Sequence, residues 1–397
     1  MLTNTRDDLF GRYRAIIESG KDEWASEPYA QDVRNYAAPA VLEAERNLLF
    51  RGSPLIVAMS ADVPDSSSAF STQADGVPLL IVRDRKGIAR VFVNACRHRG
   101  TKVFEGRTSV PPVMTCPYHA WSYKHDGTLH KRPQGESCFA GIATDSLALR
   151  QLPAAEAFGV IVARLDGQGF DVDEWAGSIG PELDSYGLDS YVHIETRHHS
   201  WDFNWKLALD TFFEAYHVFS LHKDTIDAYI ATWPMIIEPR GRHMLTMTPW
   251  KSLEDETDPS QILKQATIQH VVFPNTIIAH QIDHVETWSV YPDGDDPTRC
   301  VITTSLYAPR APETDKERAR WGRALDVLLK VITTEDFPQT LSIQHAINSG
   351  FGPDTFLFGQ NEPGLMKFHR QLGEVLAAGV NDASTDADAA PTSTSAS

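Results

Sequence analysis

"NACRHRGTKV" at 94–103 and "CPYHAWSYKHDGTL" at 116–129 decide how this chain is read. Each stretch supplies one cysteine and one histidine: Cys96 with His98, and Cys116 with His119. Two thiolates and two imidazoles can hold a zinc ion tetrahedrally. They can equally hold a [2Fe–2S] cluster, with two cysteines on one iron and two histidines on the other. The plain alternative, buried cysteines beside unrelated histidines, requires the paired spacing to arise twice by accident. The surroundings favour iron–sulfur. Zinc loops more often repeat Cys-x-x-Cys knuckles, whereas here each loop gives one ligand of each kind. Gly100 and Pro117 allow tight loops whose N–H groups can point at bridging sulfides, and Trp121 and Tyr118 can shield the group.

Working outward, short β runs surround both stretches. "VPLLIVRD" and "IARVFVNAC" form a hairpin at Lys86-Gly87 that leads into the first pair, and "AWSYKHDGTLH" turns at Asp126-Gly127 directly after the second. The chain before Pro54 has helical periodicity, with Leu9, Tyr13, Ile16 and Ile17 on one face. Trp201–Ile230, Glu313–Ile347 and Gly364–Gly379 read as helices, and "HVVFPNTIIAHQIDHVETWSVYP" and "RCVITTSLYAP" as long strands. His280 and His284 would then share a strand face. The final Ser/Thr/Ala/Asp stretch has nothing to bury and is expected to be disordered. At 397 residues two domains are expected. The boundaries read as 1–50 (helices packing on the C-terminal part), 51–160 (metal-binding β domain), 161–380 (a second domain) and 381–397 (tail). A net charge of -17 without a basic patch excludes a nucleic-acid partner. No apolar run reaches membrane-spanning length, and the N-terminus lacks an apolar export core, so a cytoplasmic protein is expected. Four cysteines are too few for a disulfide framework.

The two stretches resemble the Rieske signature of the large (alpha) subunit of aromatic ring-hydroxylating oxygenases, the Rieske non-haem iron family. The resemblance implies Cys96 and Cys116 on one iron and His98 and His119 on the other. It also implies an α+β fold: an N-terminal all-β Rieske domain, then a helix-grip (START/Bet v 1-like) catalytic domain with an antiparallel sheet.

A cluster of this kind only carries electrons, so the chemistry belongs elsewhere. In "NWKLALDTFFEAYHVFSLH" (204–222), Asp210, Glu214 and His217 are spaced i, i+4, i+7, one face of a helix. His222 lies five residues beyond His217, about 140° away on a straight helix. If both bind one metal, the helix is distorted or ends between Val218 and Leu221; an ordinary amphipathic helix with polar-face histidines is the alternative. "EAYHVFSLH" is similar to the family pattern acid-x-x-His-x-x-x-x-His, which implies a mononuclear iron(II) on His217 and His222, with Glu214 as a bridge between the two metal centres. Asp210 stands where many members have Asn. Non-haem iron(II) oxygenases complete the site with a carboxylate. In "TTEDFPQTLSIQHAINSG" the family's Asp followed eight residues later by Gln implies Asp336 as that ligand, with Gln344 a packing residue and Glu335 the runner-up.

The resemblance implies an enzyme, an oxidoreductase that inserts oxygen from O₂ into an apolar, aromatic small molecule by mono- or dihydroxylation. Oxidative demethylation or hydroxylation of a quaternary amine at the same iron is the alternative; a non-catalytic, metal-stabilised ligand-binding module is another. No GxGxxG unit or plant-type ferredoxin cysteine run is present, so electrons come from a separate reductase, with or without a ferredoxin. The family closes a homotrimer, or three alpha with three small subunits, head to tail, and that places His119 of one copy against Glu214 of the next.

Overall fold

The computed structural model describes residues 1–388. Its largest element is a seven-stranded antiparallel sheet. The strands run, edge to edge, Val192–Trp201, Cys300–Ala308, Val285–Pro292, Thr276–His280, Ala266–Val272, His243–Pro249 and Ile236–Arg240. Alternation gives the sheet two faces. Trp288, Ile277, Ile302 and Leu306 point into a core shared with Phe213, Leu325, Phe337 and Phe368 from the helical layer. Val285, Ile278 and Tyr307 point the other way, into a core shared with Ile179, Leu183 and Val160. The α+β class and the antiparallel catalytic sheet read from the sequence stand.

The metal-loop segment is built from short strands. A five-stranded sheet and two three-stranded sheets are formed between Leu55 and Ala163. The strand Val160–Ala163 pairs with Leu55–Met59, so the first and last strands of this segment close on each other across the expected boundary at 160. Gly100, at φ 82°, turns the first metal loop, and its N–H donates to Cys96 O at 2.8 Å.

Three expectations change. The long helix expected over Trp201–Ile230 is two short ones, Trp205–Asp210 and Val218–Leu221, after a strand that takes in Trp201. Asn204 caps the first by accepting from Lys206 N at 2.9 Å. The helix stops because neighbouring aromatic residues bury against different walls: Phe212 against Trp288 at 5.2 Å and Phe213 against Phe368 at 4.8 Å between ring centroids. His280 and His284 do not share a strand face, since a turn closed by Gln281 N to His284 O at 3.0 Å separates them. The last helix runs Pro363–Asp388, into the stretch expected to be disordered from 381. The remainder of that tail, 389–397, lies outside the described residues. No helix among the described residues is long and apolar enough to cross a membrane.

The N-terminal segment is fastened to the start of the Trp205–Asp210 helix by a buried ion pair. Lys206 Nζ donates to Glu45 Oε1 at 2.5 Å, and Trp205 Nε1 donates to the other oxygen at 2.8 Å. Removing one member leaves the other charge buried and unpaired. Lys206→Met is therefore expected to lower stability by about 3–5 kcal/mol, read as a fall in the urea midpoint.

Candidate metal centres

Two histidines and one carboxylate converge on a single point. His222 Nε2 lies 3.1 Å and His217 Nε2 3.3 Å from the same oxygen, Asp336 Oδ1. Among the described residues this is the one group of three or more His, Cys, Asp or Glu whose ligand atoms all lie within 4.8 Å of one another. The outer nitrogens are held too. His217 Nδ1 bonds Glu214 Oε1, and Glu214 Oε2 accepts the His217 backbone N–H at 3.1 Å. His222 Nδ1 bonds Glu335 Oε2 at 2.7 Å, and that oxygen also accepts from Thr225 Oγ1 at 2.8 Å. Each imidazole thus has its Nδ1 proton tied to a carboxylate and its Nε2 turned inward, the arrangement that fixes tautomer and raises basicity in a metal ligand. Glu335, the runner-up for the carboxylate, sits on the far nitrogen of His222, and Asp336 sits at the convergence. A wide helical turn over Ile332–Asp336 presents these adjacent acids to different sides of one ring.

The electrostatics describe a place for a cation. Burial opposes a charge on His217, yet its bonds to Asp336 and Glu214 outweigh this and lift it to about 9. Burial likewise opposes charge on His222, and the bonds to Asp336 and Glu335 raise it. Burial would push the Asp336 carboxyl up, but the two imidazoles hold it below the usual carboxylate range. A site that retains positive charge this way, with two imidazoles and one carboxylate, has the donor set of a non-haem iron(II) centre.

His217 and Asp336 open onto a cleft of about 550 Å³ that Asp210, Glu214 and Glu362 also line. Asp210 is held by two groups from distant parts of the chain. Tyr36 Oη donates to its Oδ2 at 3.1 Å, and His369 Nε2 lies 2.9 Å from its Oδ1. No local pattern announces this contact, because the three residues come from the first segment, the broken helix and the last helix. None of the residues lining the cleft comes from the two Cys/His loops.

Those loops form the second centre. Cys96 and Cys116 are buried in the core of the small domain with Tyr123 and Trp121. The His98 and His119 rings lie 4.6 Å apart, and Trp121 stacks on His98 at 5.0 Å and 8°. His98 Nδ1 is buried without a partner, while His119 turns Nε2 outward to Arg99 Nη2 at 2.6 Å. An orphaned inward nitrogen next to two buried thiols fits a bound group. The four donors do not form a compact set of the kind that holds one ion. That fits a two-iron cluster, with thiols at one end and imidazoles at the other, better than one zinc. Tyr123 Oη lies 3.2 Å from Cys96 Sγ and accepts from Arg97 N at 3.0 Å, so its hydroxyl proton is free for the sulfur. A donor on a ligand sulfur stabilises the electron-rich reduced form. Tyr123→Phe is accordingly expected to lower the reduction potential by roughly 20–60 mV, measured by voltammetry, with the visible spectrum retained.

Residues 53–153 match the family described as the Rieske [2Fe-2S] domain, and residues 188–378 match the ring hydroxylating alpha subunit (catalytic domain). The chain is 30% identical over 197 residues to the anthranilate 1,2-dioxygenase large subunit of Acinetobacter baylyi, a match covering 47% of this chain and 41% of that protein. It is 27% identical over 207 residues to the carnitine monooxygenase oxygenase subunit of Escherichia coli, covering 51% and 54%. The match thus spans about half the length of these curated relatives. A solved quaternary ammonium Rieske monooxygenase in complex with L-carnitine superposes with a TM-score of 0.74 at 19% identity, covering 87% of this chain and 94% of that one. Naphthalene 1,2-dioxygenase from Rhodococcus sp. superposes with 0.68 at 17%, covering 95% and 99%; both are likenesses of fold. In this family the Rieske domain binds a [2Fe–2S] cluster and the catalytic domain a mononuclear iron. With a Rieske domain followed by a ring-hydroxylating catalytic domain, the chain belongs to the Rieske non-haem iron oxygenases, as an alpha-type large subunit.

Proposed function

We propose that this chain is the oxygenase component of a multicomponent cytoplasmic system that takes electrons from a separate reductase, with or without a ferredoxin, and hydroxylates an apolar, aromatic small molecule with O₂. The observation that carries the proposal is the convergence of His217 Nε2 and His222 Nε2 on Asp336 Oδ1. When bound, iron at this point supplies O₂ activation at open coordination positions, and the cluster supplies electrons singly. The chain's residues do the rest. His217, His222 and Asp336 hold the metal; Cys96, Cys116, His98 and His119 hold the cluster. Glu214 and Glu335 fix the two Nδ1 protons. Residues 51–160 carry the cluster, 161–380 carry the iron, and 1–50 brace the iron-bearing part through Tyr36 and Glu45. A non-catalytic binding module would have no use for such a triad. Demethylation or hydroxylation of a quaternary amine at the same iron is the second reading, favoured by the relatives named for carnitine and glycine betaine.

The two centres meet between copies. The loop tip around His119 exposes Arg97, Arg99 and Tyr118, while the cleft beside His217 carries Asp210, Glu214 and Glu362 with the exposed Leu357 on its wall. A basic aromatic tip and an acidic cleft with an apolar rim are complementary. We place the tip of one copy in the cleft of the next, His119 against Glu214, with three copies closing a ring, alone or with a small second subunit.

His217→Ala, His222→Ala or Asp336→Ala is expected to deplete the mononuclear iron and abolish product formation while leaving the red-brown cluster intact, checked by metal analysis, visible spectrum and oxygen-18 incorporation. Retained oxygenation in Asp336→Ala would sink the triad. Glu214→Gln is expected to keep both centres and the trimer but slow cluster oxidation at least about tenfold in single-turnover mixing with substrate and O₂. An unchanged rate, or full activity in a monomer, would remove Glu214 from the bridge.

A further inference from the structure

The cluster domain is basic within an acidic chain. Residues 53–153 hold 12 lysines and arginines against 8 aspartates and glutamates, while the rest of the chain holds 24 against 45. Several of these cations are taken up by acids: Arg83 by Glu156, Arg90 by Asp84 and Arg107 by Asp62. Lys131 and Arg132 are placed differently. Lys131 is exposed and pairs in register with Ser122, next to Trp121. Arg132 gives one nitrogen to a carbonyl, Ile142 O at 3.0 Å, and its Nη1 has no partner. The guanidinium lies over the Phe139 ring, 5.8 Å from its centroid. Phe139 in turn meets His98 edge to face at 5.8 Å and Trp121 at 5.4 Å. His98 thus has a different neighbour from His119, whose Nε2 turns to Arg99 at the loop tip. The segment that carries Phe139 folds into a concavity of about 830 Å³, lined by Arg132, Gln134, Glu136, Ser137, Ala140 and Thr144. Gly135 keeps this turn close, since a Cβ there would stand 2.9 Å from Arg132 Cγ.

In the ring described above, the next copy's cleft covers the tip around His119. A donor from outside then has to reach the cluster from another side. Phe139 offers that side, because one ring touches His98 and also carries the Arg132 guanidinium. The total charge of -17 repels an acidic protein, whereas the cluster domain attracts one. Opposite signs on one molecule steer an acidic partner toward this domain and away from the rest. We propose that the concavity beside Arg132 and Phe139 is where the electron donor docks, and that the donor is a protein with an acidic face around its redox group. Each contact passes one electron: the donor is oxidised by one, the cluster is reduced by one, and no bond forms or breaks. The proposal rests on the multicomponent oxygenase reading and adds to it the docking surface and the sign of the partner's charge.

Stopped-flow bleaching of the oxidised, fully loaded protein, without O₂ or substrate, tests it apart from turnover. The donors are photoreduced FMN and photoreduced riboflavin, which share one ring system and differ by a phosphate. At about 10 mM salt, where charges act over ~30 Å, FMN is expected to reduce the cluster at least about threefold faster than riboflavin. At about 1 M salt, where they act over ~3 Å, the two rates are expected to converge. Lys131→Gln and Arg132→Gln are each expected to lose about half or more of the preference, with the visible spectrum retained. Lys86→Gln removes the same charge at the far turn of the Val77–Arg83 and Ala89–Val93 hairpin and is expected to keep it. Lys131 is exposed, so its variant decides the matter even where Arg132→Gln fails to fold. The chain's total charge alone predicts the reverse order, with riboflavin faster. FMN no faster than riboflavin, a preference that survives Lys131→Gln, or one that falls as far in Lys86→Gln overturns the proposal. A protein with no reducible cluster sinks the oxygenase reading as well; a cluster reduced without the charge preference sinks the docking surface alone.

Discussion

Two imidazoles meeting one carboxylate oxygen, each with its outer nitrogen fastened to another acid, is the constraint on which the rest of the structure turns. Left to itself, a helix through Trp201–Ile230 would carry His217 and His222 to different sides. The chain breaks that helix after Asp210 and restarts it at Val218. Glu214 takes part in the break, because its carboxylate accepts the His217 backbone N–H as well as holding the ring. The same residue that orients a ligand therefore also shapes the turn that brings the ligand in.

Everything around this point serves to hold it. Asp336 arrives on a wide turn between two helices, and Gln344, eight residues on and fully buried, accepts from Asn204 N at 2.8 Å. That bond ties the helix after the carboxylate to the residue capping the helix before the histidines. Glu45, Lys206 and Tyr36 bind the N-terminal segment to the same helix, and Gly364 lets the last helix approach so closely that an added Cβ would stand 2.4 Å from Phe213 O. Tethers from three separate parts of the chain meet on the segment that begins at Asn204. Side chains held so tightly keep their geometry when a metal enters, and this is what pre-organised ligation requires.

The sequence exposes some of this and hides the rest for physical reasons. The Cys/His loops are legible because their donors lie within a few residues of each other, on hairpins whose turns Lys86-Gly87 and Asp126-Gly127 announce themselves. His217 and His222 stand out as a local pair, and Asp336 only through the likeness to a family pattern, since its contact with them is long-range. The helix break is not legible: Phe212 and Phe213 look like one apolar face, and only the folded sheet shows that they bury against different partners. The Asp210, Tyr36 and His369 contact is invisible to any local reading.

The account makes one demand above all: one chain holds two independent iron centres, a cluster at the Cys/His loops and a lone ferrous ion at the triad. Electron paramagnetic resonance of the dithionite-reduced protein, before and after nitric oxide is added, asks for both at once. The account predicts a rhombic cluster signal in the reduced protein, and a separate high-spin ferrous-nitrosyl signal on adding the gas, which is missing in His222→Ala while the cluster signal remains. A colourless, zinc-loaded protein, or a nitrosyl signal that persists in His222→Ala, would contradict it.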